Sequence, residues 1–378
     1  MHVVVVGAGI NGLAAAWRLA LRGARVTLLE RFRIGHERGS SHGRSRITRS
    51  TYSAIDYVRL VRRAHAEDWP QLAHDAGVRL LHPVPGCFFG PAGPALATYT
   101  AAAEEAGAAV ERLSPAEARA RFPLFRFADA AYVLVDGTAA VVAAADAVAA
   151  LAGRCAALGV QLREETEVRA LRASASCVHV ETGCDVIAAD RVVVAAGPWA
   201  ARLVPALSGH LCVARQTVAY LRLDAAPALQ RVPRFPVWAY LGTDALHYYG
   251  LPEFGRPGIK AARHVTEGRD DDPDAADAPS AAAIAEVRAF LAAQFAVPVA
   301  DEAGAETCLY TNTPAEDFVI DALPDEPRIV VAAGFSGHGF KFGPLTGRLL
   351  AELALDGRSS VPEFEAARAR FAFPAASA

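Results

Sequence analysis

Lysine is scarce in this 378-residue chain. Of its 38 basic residues two are lysines, Lys260 and Lys341, which leaves 36 arginines. Drift from lysine to arginine in a GC-rich genome explains arginines on a solvated surface. A site that needs a compact, rotatable ammonium group does not accept that exchange. Both lysines are therefore candidate site residues, with chance retention as the alternative.

Other absences narrow the class of protein. The six cysteines form no Cys-x-x-Cys pair and no His/Cys metal spacing, which predicts a reducing compartment and no metal site. The formal charge is −3 and no basic stretch occurs, so a nucleic-acid-binding surface is not expected. The composition, 53% hydrophobic and 21% charged, is that of an ordinary globular protein long enough for two folding units.

No segment of the sequence predicts a membrane span. The most apolar region, residues 130–153, is interrupted by Asp136 and Asp146, which predicts a strand followed by a buried helix. The strand-like HVVVV begins at residue 2, so no signal peptide is expected before the fold. We expect a cytoplasmic protein.

The clearest motif lies in residues 2–31, where an apolar strand, Gly7-x-Gly9-x-x-Gly12, a helix and a second strand follow in order. The glycines permit a tight turn, and the helix N-terminus offers unpaired N–H groups to a pyrophosphate. Glu30 follows Gly12 by 18 residues, a spacing suited to accepting hydrogen bonds from an adenosine ribose. The motif predicts dinucleotide binding; a glycine turn in an ordinary βαβ unit is the alternative.

A second strand, glycine-rich loop and helix occupy residues 328–357. A single cofactor that reaches from the first glycine turn to this loop is more easily FAD than NAD. NAD-dependent dehydrogenases usually carry a continuous nucleotide domain, whereas the two loops here are far apart in sequence. The partial positive charge of the helix N-terminus suits negative charge on a reduced flavin ring.

The strand–helix pattern is interrupted twice by strand-rich segments, which predicts two interleaved domains of an α/β protein. One is a discontinuous, Rossmann-like FAD-binding domain, and the other an α+β substrate domain on a mostly antiparallel sheet. The predicted boundaries are 1–77, 126–211 and 315–378 for the first and 78–125 and 212–314 for the second. The acidic run 267–280 is interpreted as a solvated loop.

The sequence resembles the glycine/D-amino-acid oxidase superfamily of flavoproteins. Within it, the chain is most similar to the group of monomeric sarcosine oxidase, N-methyltryptophan oxidase and pipecolate oxidase. The resemblance covers nearly the whole chain and is carried by four stretches, GAGINGLAAAWRLALRGARVTLLE, GSSHGRSRITRSTY, TCLYTNTP and AAGFSGHGFKF.

The resemblance implies roles for specific side chains. Lys260 matches the lysine that activates oxygen over the flavin, and His42, Arg46 and His264 match other catalytic positions. Arg49 and Lys341 match the substrate-binding residues that hold a carboxylate. Tyr249 and Tyr310 match other substrate-binding positions. Arg46 and Arg49 are spaced i, i+3, so a helical turn is expected to place them on one side.

The resemblance also implies covalent FAD. Cys308 matches the cysteine whose sulfur bonds to the flavin 8α-methyl group, and Tyr310 is expected on the same strand face. The predicted cofactor contacts are Gly7, Gly9, Gly12, Glu30, Ser41, His42, Val168, Gly197, Cys308, Gly337, Gly339 and Lys341.

Three positions depart from the family pattern. Arg44 stands where relatives commonly have a smaller acidic or amide residue, and Asn312 where they often carry an apolar one. Arg263 adds a cation beside His264. The departures indicate either a larger or more polar substrate than sarcosine or positions outside the pocket.

The expected activity is oxidation of a secondary amino acid by an FAD enzyme with O2 as acceptor, giving an imine and hydrogen peroxide. The substrate is expected to be sarcosine, an N-methyl amino acid or a cyclic one such as pipecolate or proline. Two alternatives are a biosynthetic tailoring oxidase with a larger or cyclic substrate and a flavin amine dehydrogenase with another acceptor. We expect a monomer without nucleic-acid or membrane partners.

Overall fold

The computed structural model of the chain describes residues 1–243, 247–265, 271–275 and 278–373. Twenty strands lie in these residues. In chain order they are β1 (His2–Val6), β2 (Arg25–Leu29), β3 (Ser45–Thr48), β4 (Leu81–Pro83), β5 (Gly86–Gly90), β6 (Val110–Leu113), β7 (Tyr132–Asp136), β8 (Ala140–Ala143), β9 (Gln161–Arg163), β10 (Val168–Ala173), β11 (Val178–Thr182), β12 (Val186–Ala189), β13 (Arg191–Val194), β14 (Cys212–Leu223), β15 (Val237–Leu241), β16 (His247–Leu251), β17 (Ile259–His264), β18 (Val299–Asn312), β19 (Val319–Ala322) and β20 (Ile329–Ala333).

The described residues form eleven α-helices. They are α1 (Ile10–Leu21), α2 (Ile55–Arg63), α3 (Trp69–Ala76), α4 (Pro94–Glu105), α5 (Pro115–Arg121), α6 (Ala144–Ala157), α7 (Ala200–Leu203), α8 (Ala281–Gln294), α9 (Gly343–Asp356), α10 (Pro362–Ala366) and α11 (Arg368–Phe371). A π-helix, Ala64–Asp68, joins α2 to α3. None of the described helices is long and apolar enough to cross a membrane.

The first sheet has six strands in the order β19-β20-β13-β1-β2-β9. Its strands are parallel except for β19, which runs antiparallel to β20 at the edge. Val3 and Val5 of β1 pack under α1, α6 and α9, while Val4 and Val6 face a three-stranded antiparallel sheet of β10, β11 and β12. Both faces are covered, which is why β1 is apolar at every position from Val3 to Val6.

The second large sheet has eight strands in the order β18-β14-β17-β16-β15-β5-β7-β6, antiparallel except for the β15–β5 pair. One face packs on α8 and on an aromatic cluster that includes Phe125, Trp238 and Phe295. A small antiparallel sheet, β3-β8-β4, is the third element near the site. The predicted fold class, mixed α/β with a mostly antiparallel second sheet, is confirmed.

The predicted domain boundaries stay a prediction, but sheet membership departs from them at two strands, β4, which pairs with β8, and β7. Strand β7 pairs with β5 and β6 in the eight-stranded sheet. The prediction assigned residues 126–211 to the nucleotide domain because the following segment reads as strand, helix, strand. The apolar sequence of β7 is compatible with either of the two large sheets, since a strand at the centre of either sheet is buried.

Close packing of α1 on α9 gives a test of the fold. A Cβ on Gly347 would lie 2.4 Å from the carbonyl carbon of Ala14 and 2.5 Å from the Ala14 Cβ. We expect Gly347→Ala to lower the melting temperature, because separating the helices costs about 1–3 kcal/mol.

Gly153, inside α6, is the matched control. Nothing lies within 4 Å of a Cβ at that position. Gly153→Ala is expected to raise the melting temperature through its better helix propensity, about 0.5–1 kcal/mol. Thermal unfolding of both variants checks this, and a Gly347→Ala protein that melts at or above the parent would contradict the packing.

Candidate active site

A cavity of about 1290 Å³ lies between the six-stranded and eight-stranded sheets. Pockets for drug-sized ligands are typically about 300–1,000 Å³, so this one has room for a dinucleotide and a small second molecule. Residues of both sheets and of the β3 sheet line it, among them Gly9, Glu30, Arg49, Lys260 and Tyr310. The predicted cofactor and substrate residues are thus brought to one cavity, with the exception of Gly12, which lies beneath its wall.

The first glycine motif forms the backbone cradle at one end of the cavity. A Cβ on Gly7 would lie 2.5 Å from the carbonyl oxygen of Ala195, and the φ of Gly7 is +99°. A Cβ on Gly12 would lie 1.9 Å from the Gly7 oxygen. Only glycine fits at these two positions, so the chain turns tightly there and the start of α1 approaches the cavity closely. This cradle fits a pyrophosphate.

Glu30 lies at the end of β2 with its carboxylate held in place by the chain. It accepts hydrogen bonds from the backbone N–H groups of Ala8 at 2.7 Å and Phe32 at 2.9 Å. Burial opposes ionisation, but His36 and these two N–H groups lower the pKa of Glu30 below its ordinary value. A fixed, ionised acceptor beside the glycine turn fits the hydroxyls of a ribose.

The other predicted cofactor residues continue along the cavity wall. Ser41 accepts a hydrogen bond from Ile10 N at 3.1 Å, so it sits at the N-terminus of α1. Val168 and Gly197 line the same end, and Gly337 and Gly339 line the opposite end. A Cβ on Gly337, whose φ is +75°, would lie 2.2 Å from the Tyr310 ring, so this glycine lets the second loop pack against that tyrosine.

Of the acidic run 267–280, interpreted as a solvated loop, the structure describes residues 271–275 and 278–280, and the rest of the run lies outside the described residues. Asp274 is exposed, as that interpretation expects, but it also forms ion pairs. Asp274 accepts hydrogen bonds from Arg31 at 2.7 Å, Trp199 at 3.0 Å and Arg202 at 2.5 Å. These three side chains line the nucleotide end of the cavity. No local pattern reveals these contacts, because Arg31 and Asp274 are 243 residues apart.

Arg46 and Arg49 do not lie on a helical turn, contrary to the expectation from their spacing. Residues 45–48 form β3, which pairs with β8, so a pairing partner distant in sequence decides the local structure. Arg46 donates to the carbonyl oxygens of Ser40 at 3.0 Å and His42 at 2.5 Å. Arg46 thereby fixes the segment that carries His42.

Arg49 lies in a cage of aromatic rings. Its guanidinium carbon is 4.3 Å from the ring centre of Tyr52 and 5.4 Å from those of Phe88 and Tyr99. The Nη1 atom is buried and has no hydrogen-bond partner among the described residues. A buried guanidinium with an unused N–H group is a receptor for an anion, above all a carboxylate.

Lys341 lies on the other side of Tyr52. Its Nζ donates to the Tyr52 hydroxyl at 2.8 Å and to the His338 carbonyl at 3.0 Å, and Trp69 Nε1 donates to the Lys341 carbonyl at 2.7 Å. Burial, and then the charge of Arg49, hold the pKa of Lys341 well below its ordinary value. Two cations thus flank one tyrosine, and a bound carboxylate would satisfy both.

Asp136 fixes the turn between Arg49 and Tyr52, although the sequence did not identify it as a site residue. Its fully buried carboxylate accepts hydrogen bonds from the backbone N–H groups of Ser50 at 2.7 Å and Thr51 at 3.1 Å. It also accepts from Thr138 N at 2.8 Å. Its only sequence signal is a charge within an apolar strand.

Tyr249, Tyr310 and His264 form a polar group facing the same part of the cavity. The two tyrosine hydroxyls are 3.2 Å apart, and the His264 ring centre is 5.5 Å from that of Tyr310. Burial raises the pKa of Tyr249 to about 12, so its hydroxyl stays protonated. The predicted substrate-binding tyrosines are therefore brought together as hydrogen-bonding groups.

Lys260, on β17, is buried beside an acid. Its Nζ lies 3.2 Å from Glu306 Oε1 and 3.4 Å from the Ser45 carbonyl oxygen. Burial, and then the charge of Arg46, lower the pKa of Lys260 to about 8. The same two causes lower the pKa of His42 to about 4, and its Nε2 is buried without a hydrogen-bond partner among the described residues.

Cys308 lines the cavity on the face of β18 that also carries Tyr310. Its partner across the strand pair is Gln216, and that of Tyr310 is Ala214, which confirms the predicted common face. Glu306 lies on the same face, two residues earlier, and was missed. The strand alternation in AETCLYTNTP was the signal that would have found it.

The three departures from the family pattern lie outside the cavity lining. Arg44 packs its side-chain stem against Gly255, and Arg263 forms an ion pair of 3.1 Å with Glu286. Asn312 is buried at the end of β18. They give no information on substrate size. Within the described residues, no cluster of metal-binding side chains occurs.

Comparisons with known proteins agree with this geometry. The family described as FAD dependent oxidoreductase matches residues 2–353. The chain is 35% identical to human peroxisomal sarcosine oxidase, covering 93% of this chain and 91% of that one. It is 31% identical to the monomeric sarcosine oxidase of Bacillus sp. (strain B-0618), with coverages of 94% and 93%. Identity to the N-methyl-L-tryptophan oxidase of Yersinia pestis is 29%, with coverages of 98% and 99%.

Solved structures with the same fold include NikD, described as an unusual amino acid oxidase essential for nikkomycin biosynthesis. Its open form superposes with a TM-score of 0.82 at 26% identity, covering 100% of this chain and 98% of that one. The L-proline dehydrogenase of P. horikoshii superposes with a TM-score of 0.80 at 22% identity, with coverages of 96% and 95%. At that identity the likeness shows the fold alone.

The Asp136 anchor gives a test of how the anion receptor is held. In Asp136→Asn one carboxylate oxygen becomes an NH2 group, which leaves at least one buried backbone N–H without an acceptor. We expect a loss of about 1–3 kcal/mol of stability, seen in chemical denaturation.

Asp325→Asn is the matched control, because Asp325 is exposed. Its unfolding midpoint should stay near that of the parent. Equal midpoints for the Asp136→Asn variant and the parent would show that the carboxylate does not anchor the turn.

Proposed function

Because the chain belongs to the FAD dependent oxidoreductase family, which matches residues 2–353, we propose that it is an FAD-dependent oxidase of a secondary amino acid. The overall reaction converts the amine and O2 into an imine and H2O2, so two electrons and two hydrogens leave the C–N unit and reduce oxygen. Bound FAD supplies the redox chemistry. The names of the relatives, sarcosine oxidase and N-methyl-L-tryptophan oxidase, support this substrate class.

The observation that carries the proposal is the pair of basic side chains, Arg49 and Lys341, on either side of Tyr52. Arg49 and Lys341 hold the substrate carboxylate, which fixes the position of the neighbouring C–H and N–H bonds. Tyr249 and Tyr310 donate or accept hydrogen bonds at the polar part of the substrate. This arrangement orients an amino acid and has no counterpart in a simple flavin-binding protein.

The charge of the cavity also selects the reactive form of the amine. An amine must lose its proton before it is oxidised, and nearby cations disfavour the ammonium form. Arg46 and Arg49 line the cavity, and a guanidinium is always charged. The cavity therefore favours the free base of a bound amino acid.

The predicted contacts of FAD follow the two glycine loops. Gly7, Gly9 and Gly12 with Ser41 would hold the pyrophosphate, and Glu30 the ribose, with Val168 and Gly197 beside them. Gly337 and Gly339 would border the flavin, next to His42. The glycine cradle and the orphaned His42 Nε2 support this assignment.

Lys260 is proposed to stabilise negative charge as O2 is reduced. Its pKa of about 8 leaves it mostly charged at neutral pH, and a compact buried cation stabilises an emerging superoxide. This feature favours an oxidase over a dehydrogenase with another acceptor.

A biosynthetic role is the second candidate. The likeness at 26% identity to NikD, described as an unusual amino acid oxidase essential for nikkomycin biosynthesis, supports this role. A monomeric state belongs to the proposal as well, supported by the name of the bacterial monomeric sarcosine oxidase. Catabolic and biosynthetic roles share the same chemistry and differ in the substrate.

The substrate class is tested with a peroxide-coupled assay of the purified protein under air. The panel contains sarcosine, other N-methyl amino acids, L-proline and L-pipecolate. Peroxide from at least one of them is expected; bleaching of the flavin without peroxide would identify a dehydrogenase, and no reaction with any would overturn the proposed substrate class.

Arg49→Gln tests the carboxylate contact with the best substrate of that panel. We expect kcat/KM to fall on the order of a hundredfold, because one partner of a buried charge pair is lost. Arg44→Gln, outside the cavity lining, is the control and should retain activity. If both variants keep the parent kcat/KM, Arg49 does not bind the substrate.

Covalent attachment through Cys308 is tested by acid precipitation. The parent protein is expected to give a yellow pellet, because a thioether keeps the flavin on the chain. Cys308→Ala should release its flavin into the supernatant, whereas Cys184→Ala, at an exposed position, should not. A colourless pellet from the parent protein would show that the link is absent.

A further inference from the structure

Glu306 lies at a point where five polar side chains from separate parts of the fold converge. Its side chain is 18% exposed and it projects from β18 on the face of Cys308 and Tyr310. The two carboxylate oxygens have separate partners. Oε1 accepts from the Tyr220 hydroxyl at 2.6 Å and from Lys260 Nζ at 3.2 Å, and Oε2 from Arg256 Nη1 at 3.2 Å.

The charged and titratable groups that face Glu306 come from every element packed on it. They are Tyr220 of β14, Arg256 of the β16–β17 loop, Lys260 of β17, and His42 and Arg46 of the segment before and within β3. Glu306 is the acid of this group, and the others are basic or neutral. Burial opposes its ionisation, but Lys260 and then Tyr220 lower the pKa of Glu306 below its ordinary value.

The protonated form of Lys260 depends on the Glu306 carboxylate more than that of an exposed lysine would. It is 4% exposed, and Arg46 and burial both disfavour its proton. Its other hydrogen-bond acceptor is the Ser45 carbonyl oxygen, at the longer distance of 3.4 Å. A neutral acceptor does not offset the repulsion between two buried cations, whereas an ionised carboxylate does.

We propose that Glu306 is a positioning residue, which keeps the Lys260 ammonium group protonated and fixed at the place where oxygen is reduced. The proposal rests on the proposed role of Lys260 as the cation that stabilises reduced oxygen. Glu306 touches neither the substrate nor the reacting atoms in this assignment. It acts through Lys260, so its loss should alter the oxygen step and leave oxidation of the amine nearly unchanged.

The pH dependence follows from the sign of the charge interaction. Below the pKa of Lys260, about 8, the cation is present, and above it the cation is lost. Removing the carboxylate charge lowers that pKa further, because the remaining neighbours disfavour the proton. The rate of flavin reoxidation by O2 should then fall at a lower pH than in the parent enzyme. A shift of one unit corresponds to about a tenfold smaller charged fraction above the pKa.

The chain offers a direct measurement, because it contains only two lysines. Holoenzyme labelled with 13Cε-lysine gives two side-chain NMR signals, and the signal that Lys260→Met removes is that of Lys260. Titration of this signal yields the Lys260 pKa without any assay of activity. In Glu306→Gln we expect that pKa to fall by about one unit or more.

Two further variants complete the design. Glu306→Asp keeps the charge but holds it farther from Lys260, so its Lys260 pKa should lie between those of Glu306→Gln and the parent, an order that a merely structural role would not predict. Glu302→Gln removes an exposed acid from the same strand and should leave both lysine signals unmoved. If Glu306→Gln does not yield folded holoenzyme, the comparison of Glu306→Asp with the parent still tests the proposal, because the shorter acid should lower the Lys260 pKa measurably.

Stopped-flow kinetics separate the two half-reactions. The rate of anaerobic flavin reduction by substrate should stay within about twofold of the parent in Glu306→Gln, while reoxidation at pH 9 falls about tenfold or more. A Lys260 pKa that is the same in the parent, Glu306→Gln and Glu306→Asp would overturn the proposal. Fast reoxidation of Lys260→Met would instead overturn the proposed role of Lys260, and the NMR titration distinguishes the two failures.

Discussion

The structure depends on keeping several positive charges buried in one cavity. Each cation is compensated in a different way: Arg46 by backbone carbonyl groups, Arg49 by aromatic rings, Lys260 by Glu306, and Lys341 by the Tyr52 hydroxyl and the His338 carbonyl. Desolvating a charge without such partners costs several kcal/mol. The unused N–H group of Arg49 and the lowered pKa of Lys341 show that compensation is incomplete on the substrate side. An anionic substrate would complete this compensation, which is the physical reason for proposing that the site binds a carboxylate.

The fold meets this requirement by bringing elements together that are far apart in sequence. Strand β18 carries Glu306, Cys308 and Tyr310 on one face, and its long pairing with β14 fixes their register. The parallel sheet presents its first glycine turn and Glu30 at the carboxyl ends of its strands, where open α/β sheets bind ligands. Asp136, in the second sheet, anchors the turn after Arg49, so the position of the anion receptor depends on contacts between the sheets.

Much of this site was predictable because its signals are local or compositional. The glycine motif and Glu30 lie in 30 consecutive residues, and the two lysines stand out because arginine has replaced lysine elsewhere. Family motifs supplied Arg49, Cys308 and Tyr310. The helical turn predicted for Arg46 and Arg49 was wrong, since pairing with β8 overrides local spacing. Asp136 and Asp274 were missed because their partners lie 86 and 243 residues away, which no local pattern reveals.

The central claim is that one cavity oxidises an amino acid held by its carboxylate and passes the electrons to oxygen. Anaerobic mixing of the purified holoenzyme with L-pipecolate, L-proline or an N-methyl amino acid, followed by admission of air, tests it most directly. The account predicts that at least one of these bleaches the visible flavin absorbance without oxygen, that its methyl ester does not, and that air restores the absorbance with one H2O2 formed per amine consumed. A flavin that is bleached equally by the acid and its ester, or that stays reduced in air, would contradict the account.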